Sequence, residues 1–246
     1  MELKKAIDLE KYNEYSEFVT TKLNEIFKEL IATGQNQIIL NTNLKAGLPM
    51  ENINKIAGPI MEAWAQEKLL DIVGNDDDTI KKIIECARLD MADTKMIVAA
   101  PDGVLVNVDV DVKATAIDIA SSGKGPNITS FARIRNRYLI DPKYMFIILS
   151  LRHRMYSKVD DKTNMVDGIM EVLDCHAYDI KFLSESDISY NPSLGTGQIQ
   201  IRDINNVQKV FRTTNEFIEI LDAKFVKSKK GIPGFEILAE DNGWYI

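Results

Sequence analysis

The sequence predicts an α/β fold in which a mixed central β-sheet is flanked by helices. Within residues 104–113, apolar and polar side chains alternate without a break from Val106 to Lys113, which is typical of a strand with one buried face. The run 144–151 is almost wholly apolar, as expected for a strand buried on both faces. Helix-like and strand-like segments are interspersed along 246 residues, which favours one domain built around a single mixed sheet.

The first part of the chain is predicted to be helical. Apolar residues at helical spacing predict a helix over 1–31, and a loop follows it. Pro59 suits the first turn of a helix over 58–70. A third helix is expected over 79–89, and the acidic run Asp76–Asp78 before it is interpreted as a solvated cap rather than a metal cluster.

Two strands that form a hairpin come next, over 92–98 and 104–113. Pro101-Asp102-Gly103 between them is typical of a tight turn, because proline sets φ and Asp-Gly tolerates the reversal. The remaining segments are predicted to be a loop over 114–127, a helix over 128–139, a strand over 144–151, a helix over 164–173, strands over 175–183 and 198–202, and a helix over 212–228 before a Gly/Pro-broken terminus.

Composition argues against several classes of protein. No apolar run approaches the roughly 20 residues that span a bilayer, and the N-terminus lacks the apolar stretch of a signal peptide. Two cysteines without a CxxC pair and two histidines offer little for a thiolate metal site or a catalytic triad. The net charge of −7 lacks the basic footprint of most nucleic-acid binders. Basic clusters at 133–137, 152–154 and 227–230 are nevertheless compatible with one basic groove.

The polar face of the strand 104–113 is the most informative feature of the chain. Side chains two residues apart point the same way, so Asn107, Asp109, Asp111 and Lys113 share this face. Carboxylates hold Mg²⁺, and an ammonium balances or activates what binds beside it. The pattern predicts a metal site next to a phosphate.

A helix, an acidic strand start, a β-turn and then Asp111-Val112-Lys113 resemble the PD-(D/E)XK nuclease superfamily, and within it the type II restriction endonucleases. The resemblance covers about 58–157, with a weaker similarity at 176–202. It implies a restriction-endonuclease-like core and Mg²⁺-dependent, site-specific hydrolysis of phosphodiester bonds in double-stranded DNA, leaving 5′-phosphate ends. It also implies a homodimer on a palindromic site in a prokaryotic cytoplasm, without membrane contact, and a companion methyltransferase that is not a physical partner.

Two aspartates compete for the place of the first acidic residue of the motif. Pro101-Asp102 is the literal match, but it belongs to the turn. A strand rises about 3.3 Å per residue, so Asp102 would lie far from Asp111. Asp93 begins the preceding strand, and the hairpin brings it back toward Asp111. We therefore predict that Asp93 is the first acid, although Ala92 stands where the family pattern has proline.

The resemblance implies a role for each residue of the motif. Asp93 and Asp111 would bind one or two Mg²⁺ ions, with the backbone carbonyl of Val112 as an additional ligand. Lys113 would position or help deprotonate the attacking water and offset the charge of the transition state.

A glutamate from the preceding helix often completes such a site. Glu62 is the best match, with Glu67 and Glu85 as alternatives, and a solvated helix residue is the competing interpretation of Glu62. Asp109 is expected to form a hydrogen bond to a neighbouring strand or to face solvent, rather than to bind the metal.

Three segments are predicted to contact DNA: the loop after the catalytic strand, the arginine-rich helix, and the strand that follows Gly195. Arginines four apart on a helix suit phosphate contacts, and in the major groove Gln pairs with adenine and Arg with guanine. A solvated helix and an edge strand are the competing interpretations. The residues are Lys124, Asn127, Arg133, Arg137, Gln198, Gln200 and Arg202.

The chain is expected to form a single nuclease domain over 1–246. It would comprise an N-terminal helical segment (1–57), a catalytic core (58–157) and DNA-recognition and dimerisation elements (158–246). A repair, recombination or mobile-element nuclease with the same core is one alternative. A non-catalytic DNA-binding module is another, although the intact Asp-x-Lys weighs against it.

Overall fold

The computed structural model describes residues 2–46, 56–73, 79–87 and 90–246. The helices are α1 (Tyr12–Ala32), α2 (Ala57–Val73), α3 (Phe131–Ile140), α4 (Thr214–Val226) and α5 (Gly231–Asp241). The strands are β1 (Gln37–Leu40), β2 (Ile80–Glu85), β3 (Thr94–Ala99), β4 (Leu105–Ala116), β5 (Asn127–Ser130), β6 (Tyr144–Val159), β7 (Val166–Asp179), β8 (Ile188–Asn191) and β9 (Gln198–Ile201). No helix of these ranges is long and apolar enough to cross a membrane.

The predicted mixed sheet is confirmed, with the strand order β1-β7-β6-β4-β3-β2. β4 and β6 run parallel, whereas the other neighbours run antiparallel. β6 is buried along its first eight residues, and the valines of β4 alternate with polar residues as the sequence predicts. The buried parts of β4 and β6 therefore lie side by side at the centre of the sheet.

Helices cover this sheet and connect it to a second one. α1 packs on β7, and α2 packs on β4 and β2. The two helices also contact each other, with the rings of Phe27 and Trp64 centred 5.7 Å apart. α3 contacts β5, β6 and α4. The sheet thus has helical layers that bring residues from α2 and α3 close to β4.

The structure also contains a second, three-stranded antiparallel sheet with the order β5-β9-β8, whereas the sequence predicts a single mixed sheet. Ile188, Ile199 and Ile201 are completely buried, so one face of this sheet packs into the core. β9 is the central strand, and the interpretation of 198–202 as an edge strand is therefore wrong. Gly197 precedes it with φ +95°, and a Cβ there would lie 1.9 Å from the Tyr190 hydroxyl, so only glycine fits.

Two predicted helices are strands. Residues 79–89 contain β2, which pairs with β3, and residues 164–173 belong to β7, which pairs with β6. Both segments are rich in Ile and Val, whose branched side chains suit a sheet. The hydrogen bonds to partner strands, which local periodicity does not register, decide the outcome. The interpretation of Asp76–Asp78 lies outside the described residues.

The ends of the chain also differ from the prediction. α1 begins at Tyr12, β1 lies within the predicted loop, and β6 continues beyond 151 to Val159. The Gly/Pro-containing terminus forms α5, because the fully buried Trp244 packs against Phe235 of that helix at a centroid distance of 6.0 Å. The backbone N–H of Ile246 also donates to the Glu2 carbonyl, which ties the two termini together.

Candidate active site

The β3–β4 hairpin brings Asp93 to Asp111, as predicted. Gly103 forms the turn with φ +83°, a conformation that favours glycine. Thr94 pairs with Val110, and the Asp93 backbone N–H donates to the Val110 carbonyl at 3.0 Å. Asp93 therefore lies directly beside the part of β4 that carries Asp111.

Asp102 lies at the opposite end of this hairpin, where it fastens the turn to α1. Its carboxylate accepts hydrogen bonds from the Tyr15 hydroxyl at 2.8 Å and the Lys11 ammonium at 3.1 Å. These contacts lower the pKa of Asp102, with the Tyr15 hydrogen bond as the largest cause. The literal Pro-Asp match is thus a structural contact of the turn.

Three side chains meet around Val112. Asp93 Oδ2 accepts the Val112 backbone N–H at 2.7 Å. The Lys113 ammonium lies 2.6 Å from Asp111 Oδ2 and 3.4 Å from the Val112 carbonyl oxygen. The side chains of Asp111 and Lys113 are only 5% and 19% exposed, so this ion pair is largely removed from water.

The two aspartates face a cleft of about 470 Å³, together with Glu62 of α2. Residues 86–87 and 90–92, together with Ile128 of β5, form other parts of its wall. Glu62 is half-buried, whereas Glu67 is exposed on the same helix. Glu85 belongs to β2 rather than to a helix. Glu62 is therefore the glutamate that joins the cluster.

Charges in the cleft are unbalanced. Burial raises the pKa of Asp111 to about 7, because desolvation and the charges of Asp93 and Glu62 outweigh the Lys113 ammonium. Burial also raises the pKa values of Asp93 and Glu62, with Lys113 opposing both shifts. Burial would lower the pKa of Lys113, but the three carboxylates raise it above its usual value. One ammonium thus serves three acids, which suits a further cation.

The donor set fits a hard divalent cation that shares its ligands with a substrate. Asp111 Oδ2 is buried and receives no hydrogen bond of normal geometry from the described residues, despite its contact with Lys113. Within the described ranges no three His, Cys, Asp or Glu side chains form a closed metal cage. Mg²⁺ is usually held by one or two carboxylates plus water and substrate phosphate. Asp93, Asp111 and the Val112 carbonyl match that open arrangement.

Asp109 makes a hydrogen bond to the neighbouring strand, as expected. The Tyr144 hydroxyl of β6 donates to Asp109 Oδ2 at 2.9 Å. Lys95 pairs with Asp109 in the hairpin register and forms a 3.1 Å ion pair with Asp90, which lines the cleft. Sequence reasoning missed Lys95, although its position two residues after Asp93 on the same strand face would have revealed it.

The residues predicted to contact DNA fall into two groups. On α3, Arg133 and Arg137 are exposed, and the Arg137 guanidinium lies 4.7 Å from the centre of the Tyr144 ring. The pKa of Asp90, which lines the cleft, is lowered mainly by Lys95 and the Ala87 backbone and to a smaller extent by Arg133. Arg133 therefore lies near the cleft.

The second group lies on and around the small sheet. Asn127 of β5 pairs with Gln200 of β9, and Gln198 lies two residues away on the same face. Arg202 follows the strand and is exposed. Lys124 forms an ion pair with Asp203, so its ammonium is already engaged.

The chain is similar in sequence to known restriction endonucleases. A family model for the type II restriction endonuclease HpaI matches residues 1–243. The type II restriction enzyme HpaI of Haemophilus parainfluenzae is 49% identical over 212 residues, which cover 85% of this chain and 83% of that relative. Among solved structures, the NlaIV restriction endonuclease aligns with a TM-score of 0.48 and 13% identity, covering 97% of this chain and 89% of that one.

Proposed function

Because the chain belongs to the HpaI family of type II restriction endonucleases, we propose that Asp93, Asp111 and Lys113 form its catalytic site. The protein is a type II restriction enzyme, a site-specific DNA endonuclease. The observation that supports this assignment is that the register of β3 and β4 brings Asp93 and Asp111 to the wall of one cleft, with the Lys113 ammonium 2.6 Å from Asp111 Oδ2. Family membership also favours restriction over repair and over a non-catalytic role.

Asp93, Asp111 and the Val112 carbonyl would hold Mg²⁺ at the wall of the cleft. When bound, Mg²⁺ would supply Lewis acidity toward the scissile phosphate and the leaving oxygen. The Val112 N–H holds one oxygen of Asp93 at 2.7 Å, which orients the carboxylate toward the cleft. The incompletely satisfied Asp111 carboxylate supports a ligand role, because a buried charged oxygen without full hydrogen bonding is costly.

Lys113 would position the attacking water and stabilise negative charge on the phosphate. Its raised pKa keeps it an ammonium, and the contact with Asp111 fixes its position. An ammonium donates hydrogen bonds but accepts no proton, so these properties favour positioning over proton abstraction. Glu62, on the facing helix, would orient the same water. Attack on phosphorus with departure of the 3′ oxygen leaves a 5′-phosphate.

The rest of the chain would bind and read the duplex. Arg133 and Arg137 would contact phosphates, because they are exposed on the helix beside the cleft. The polar face of the small sheet would face the bases with Asn127, Gln198, Gln200 and Arg202, and Lys124 would approach the backbone. A homodimer would match a palindromic site, since a two-fold protein meets a two-fold duplex.

This assignment divides the single domain as the sequence suggested, into a helical segment (1–57), a catalytic core (58–157) and recognition and dimerisation elements (158–246). An enzyme of this kind would act on DNA in the prokaryotic cytoplasm. A companion methyltransferase would protect the host's own sites without binding the nuclease.

Incubating plasmid DNA with the protein and Mg²⁺ tests the proposal. We expect discrete fragments with 5′-phosphate ends, no cleavage after removal of divalent ions by EDTA, and no cleavage by the Asp111→Ala variant. Sequencing the fragment ends would give the recognition site and the cut position. Undiminished cutting by a folded Asp111→Ala protein would exclude this site.

A further inference from the structure

Three amide side chains from different strands form a hydrogen-bonded network on the polar face of the small sheet. Asn127 lies on β5, Asn191 at the end of β8 and Gln200 on β9. Gln200 Nε2 donates to Asn127 Oδ1 at 3.1 Å, and Asn191 Nδ2 approaches the same oxygen at 3.5 Å. We refer to Asn127, Asn191 and Gln200 as the amide network.

Backbone groups fix the direction of every bond in the amide network. Gln200 Nε2 also donates to the Gly125 carbonyl at 3.0 Å, and a carbonyl only accepts, so the NH₂ group must lie on that side. Asn191 Oδ1 accepts the backbone N–H of Ser193 at 3.0 Å, which directs its NH₂ group toward Asn127. The orientation of the amides is therefore determined by groups that cannot reverse their roles.

This polarity leaves the NH₂ group of Asn127 and the side-chain oxygen of Gln200 uncommitted. Asn127 Oδ1 accepts from both neighbours, so the two N–H bonds of its Nδ2 have no partner among the described residues. Gln200 donates two hydrogen bonds from its NH₂ group, and no residue that the structure describes donates one to its Oε1. Asn127 is exposed and Gln200 half-exposed, so both groups are accessible to a ligand.

An adjacent donor and acceptor match the major-groove edge of adenine. Adenine presents N7 as an acceptor and N6 as a donor, whereas guanine presents two acceptors, N7 and O6. With guanine, O6 would face the Gln200 oxygen, which places two acceptors together. Building on the proposed function, we propose that Asn127 donates to N7 and Gln200 accepts from N6 of one adenine in the recognition site.

Asn191 is a positioning residue in this arrangement. It does not contact the base but holds the oxygen of Asn127 inward, so that the NH₂ group of Asn127 faces outward. The amide network also lies next to the cleft, because Ile128, the next residue after Asn127, lines the cleft wall. The adenine would therefore lie close to the bond that is cut.

Selection of bound duplexes from a random library by the Asp111→Ala protein tests the proposal without requiring cleavage. We expect the selected site to contain an A·T pair whose preference falls about ten-fold in both Asn127→Ala and Gln200→Ala, at the same position. Gln35→Ala, an exposed amide outside the sheet, is the matched control and should leave every position unchanged. Relaxation at different positions, at a G·C pair or at none, or the absence of any selected site, would overturn the proposal.

A chemical substitution in the DNA identifies the atoms. Replacing the adenine by 7-deazaadenine removes the N7 acceptor and should weaken binding of the Asp111→Ala protein about ten-fold. The same replacement should hardly change DNA binding by the protein that carries both Asp111→Ala and Asn127→Ala, because the side chain that contacts N7 is already absent. If the losses of affinity caused by 7-deazaadenine and by Asn127→Ala simply add, Asn127 does not contact N7. Cleavage measured separately in the wild-type protein tells failure of this proposal from failure of the catalytic one.

Asn191→Asp tests the positioning role. The carboxylate is similar in size but has no N–H for Asn127 Oδ1, so discrimination of adenine from guanine at that pair should fall several-fold. Two measurements report on structural damage: the affinity for unrelated DNA and the melting temperature. The affinity is compared with that of Asn127→Asp, which adds the same charge to the same surface. Unchanged discrimination would remove Asn191 from the network's function.

Discussion

Asp111 and Asp179 are equally buried, each 4% exposed, and both lie on strands that pair with β6. Their surroundings differ in how completely the protein satisfies the carboxylate. Burial raises the pKa of both groups, yet hydrogen-bond donors oppose the shift at Asp179, whereas further acids reinforce it at Asp111. The difference separates a carboxylate that completes the fold from one that is prepared for a ligand.

Asp179 receives four hydrogen bonds from the protein. Tyr12 and Ser16 of α1 donate to Oδ2 at 3.0 and 2.8 Å. The Tyr138 hydroxyl of α3 and the Lys181 backbone N–H donate to Oδ1 at 3.3 and 2.9 Å. This carboxylate therefore joins two helices to the end of β7 and has no capacity left for a metal ion.

Asp111, in contrast, has one close partner, the Lys113 ammonium. A buried anion in this state costs free energy unless another cation arrives. Proteins retain such arrangements at functional sites, where perturbed groups serve chemistry rather than stability. Four experiments test this difference between the two carboxylates.

The largest effect is expected for removal of either aspartate that we propose to be catalytic. Asp93→Ala and Asp111→Ala should each lower the cleavage rate about 1,000-fold or more, because loss of a metal ligand removes several kcal/mol of transition-state stabilisation. Cleavage of a plasmid in Mg²⁺ measures this. Asp102→Ala is the matched control and should cut at nearly the wild-type rate. The reverse pattern would show that the literal Pro-Asp motif is the functional one.

Asp179→Ala should act on stability. It would leave the hydroxyls of Ser16 and Tyr138 without their acceptor, whereas the Tyr12 hydroxyl keeps the Tyr144 carbonyl at 3.1 Å. We expect the free energy of unfolding to fall by about 3 kcal/mol. Urea denaturation followed by circular dichroism measures the change. Asp111→Asn should cost much less, since few protein donors depend on that carboxylate. Equal losses for the two variants would contradict the distinction between them.

Glu62→Gln should have an intermediate effect on activity. The amide keeps the size of the side chain but removes a charge that acts on Asp93 and Lys113, and a residue that orients others typically contributes about 10- to 100-fold. Single-turnover cleavage rates measure it. Glu67→Gln, exposed on the same helix, is the control. Comparable losses in both variants would indicate a helix effect rather than a site effect.

The smallest effect is a shift in melting temperature with Mg²⁺. Binding to the folded state at a concentration well above Kd should stabilise it by about 1 kcal/mol, or about 2–4 °C for a chain of this size. The shift should vanish in Asp111→Ala and persist in Asp102→Ala. An identical shift in all three proteins would place the ion elsewhere.

The short-range pattern predicted much of the candidate site. Strict alternation over β4 identified Asp111 and Lys113, and the turn at Gly103 was sufficient to choose Asp93 over Asp102. The structure agrees with the predicted placement of these residues because the period of a strand and the chemistry of a tight turn are local properties. Helices predicted over 79–89 and 164–173 failed because pairing with β3 and β6, rather than local preference, determines their conformation.

By itself, the sequence determined the class of fold, the acid-acid-lysine hairpin and the type of chemistry it suits. Packing of the helices and sheets, in contrast, gives Asp179 hydrogen-bond donors on α1, 163 and 167 positions away in the chain, and leaves Asp111 Oδ2 without a hydrogen bond of normal geometry from the described residues. It likewise joined Asn127 to Gln200, 73 residues apart, in a network with a defined polarity. Hydrogen bonds and burial depend on distances in space, and residue order does not contain those distances until the sheets and helices have packed.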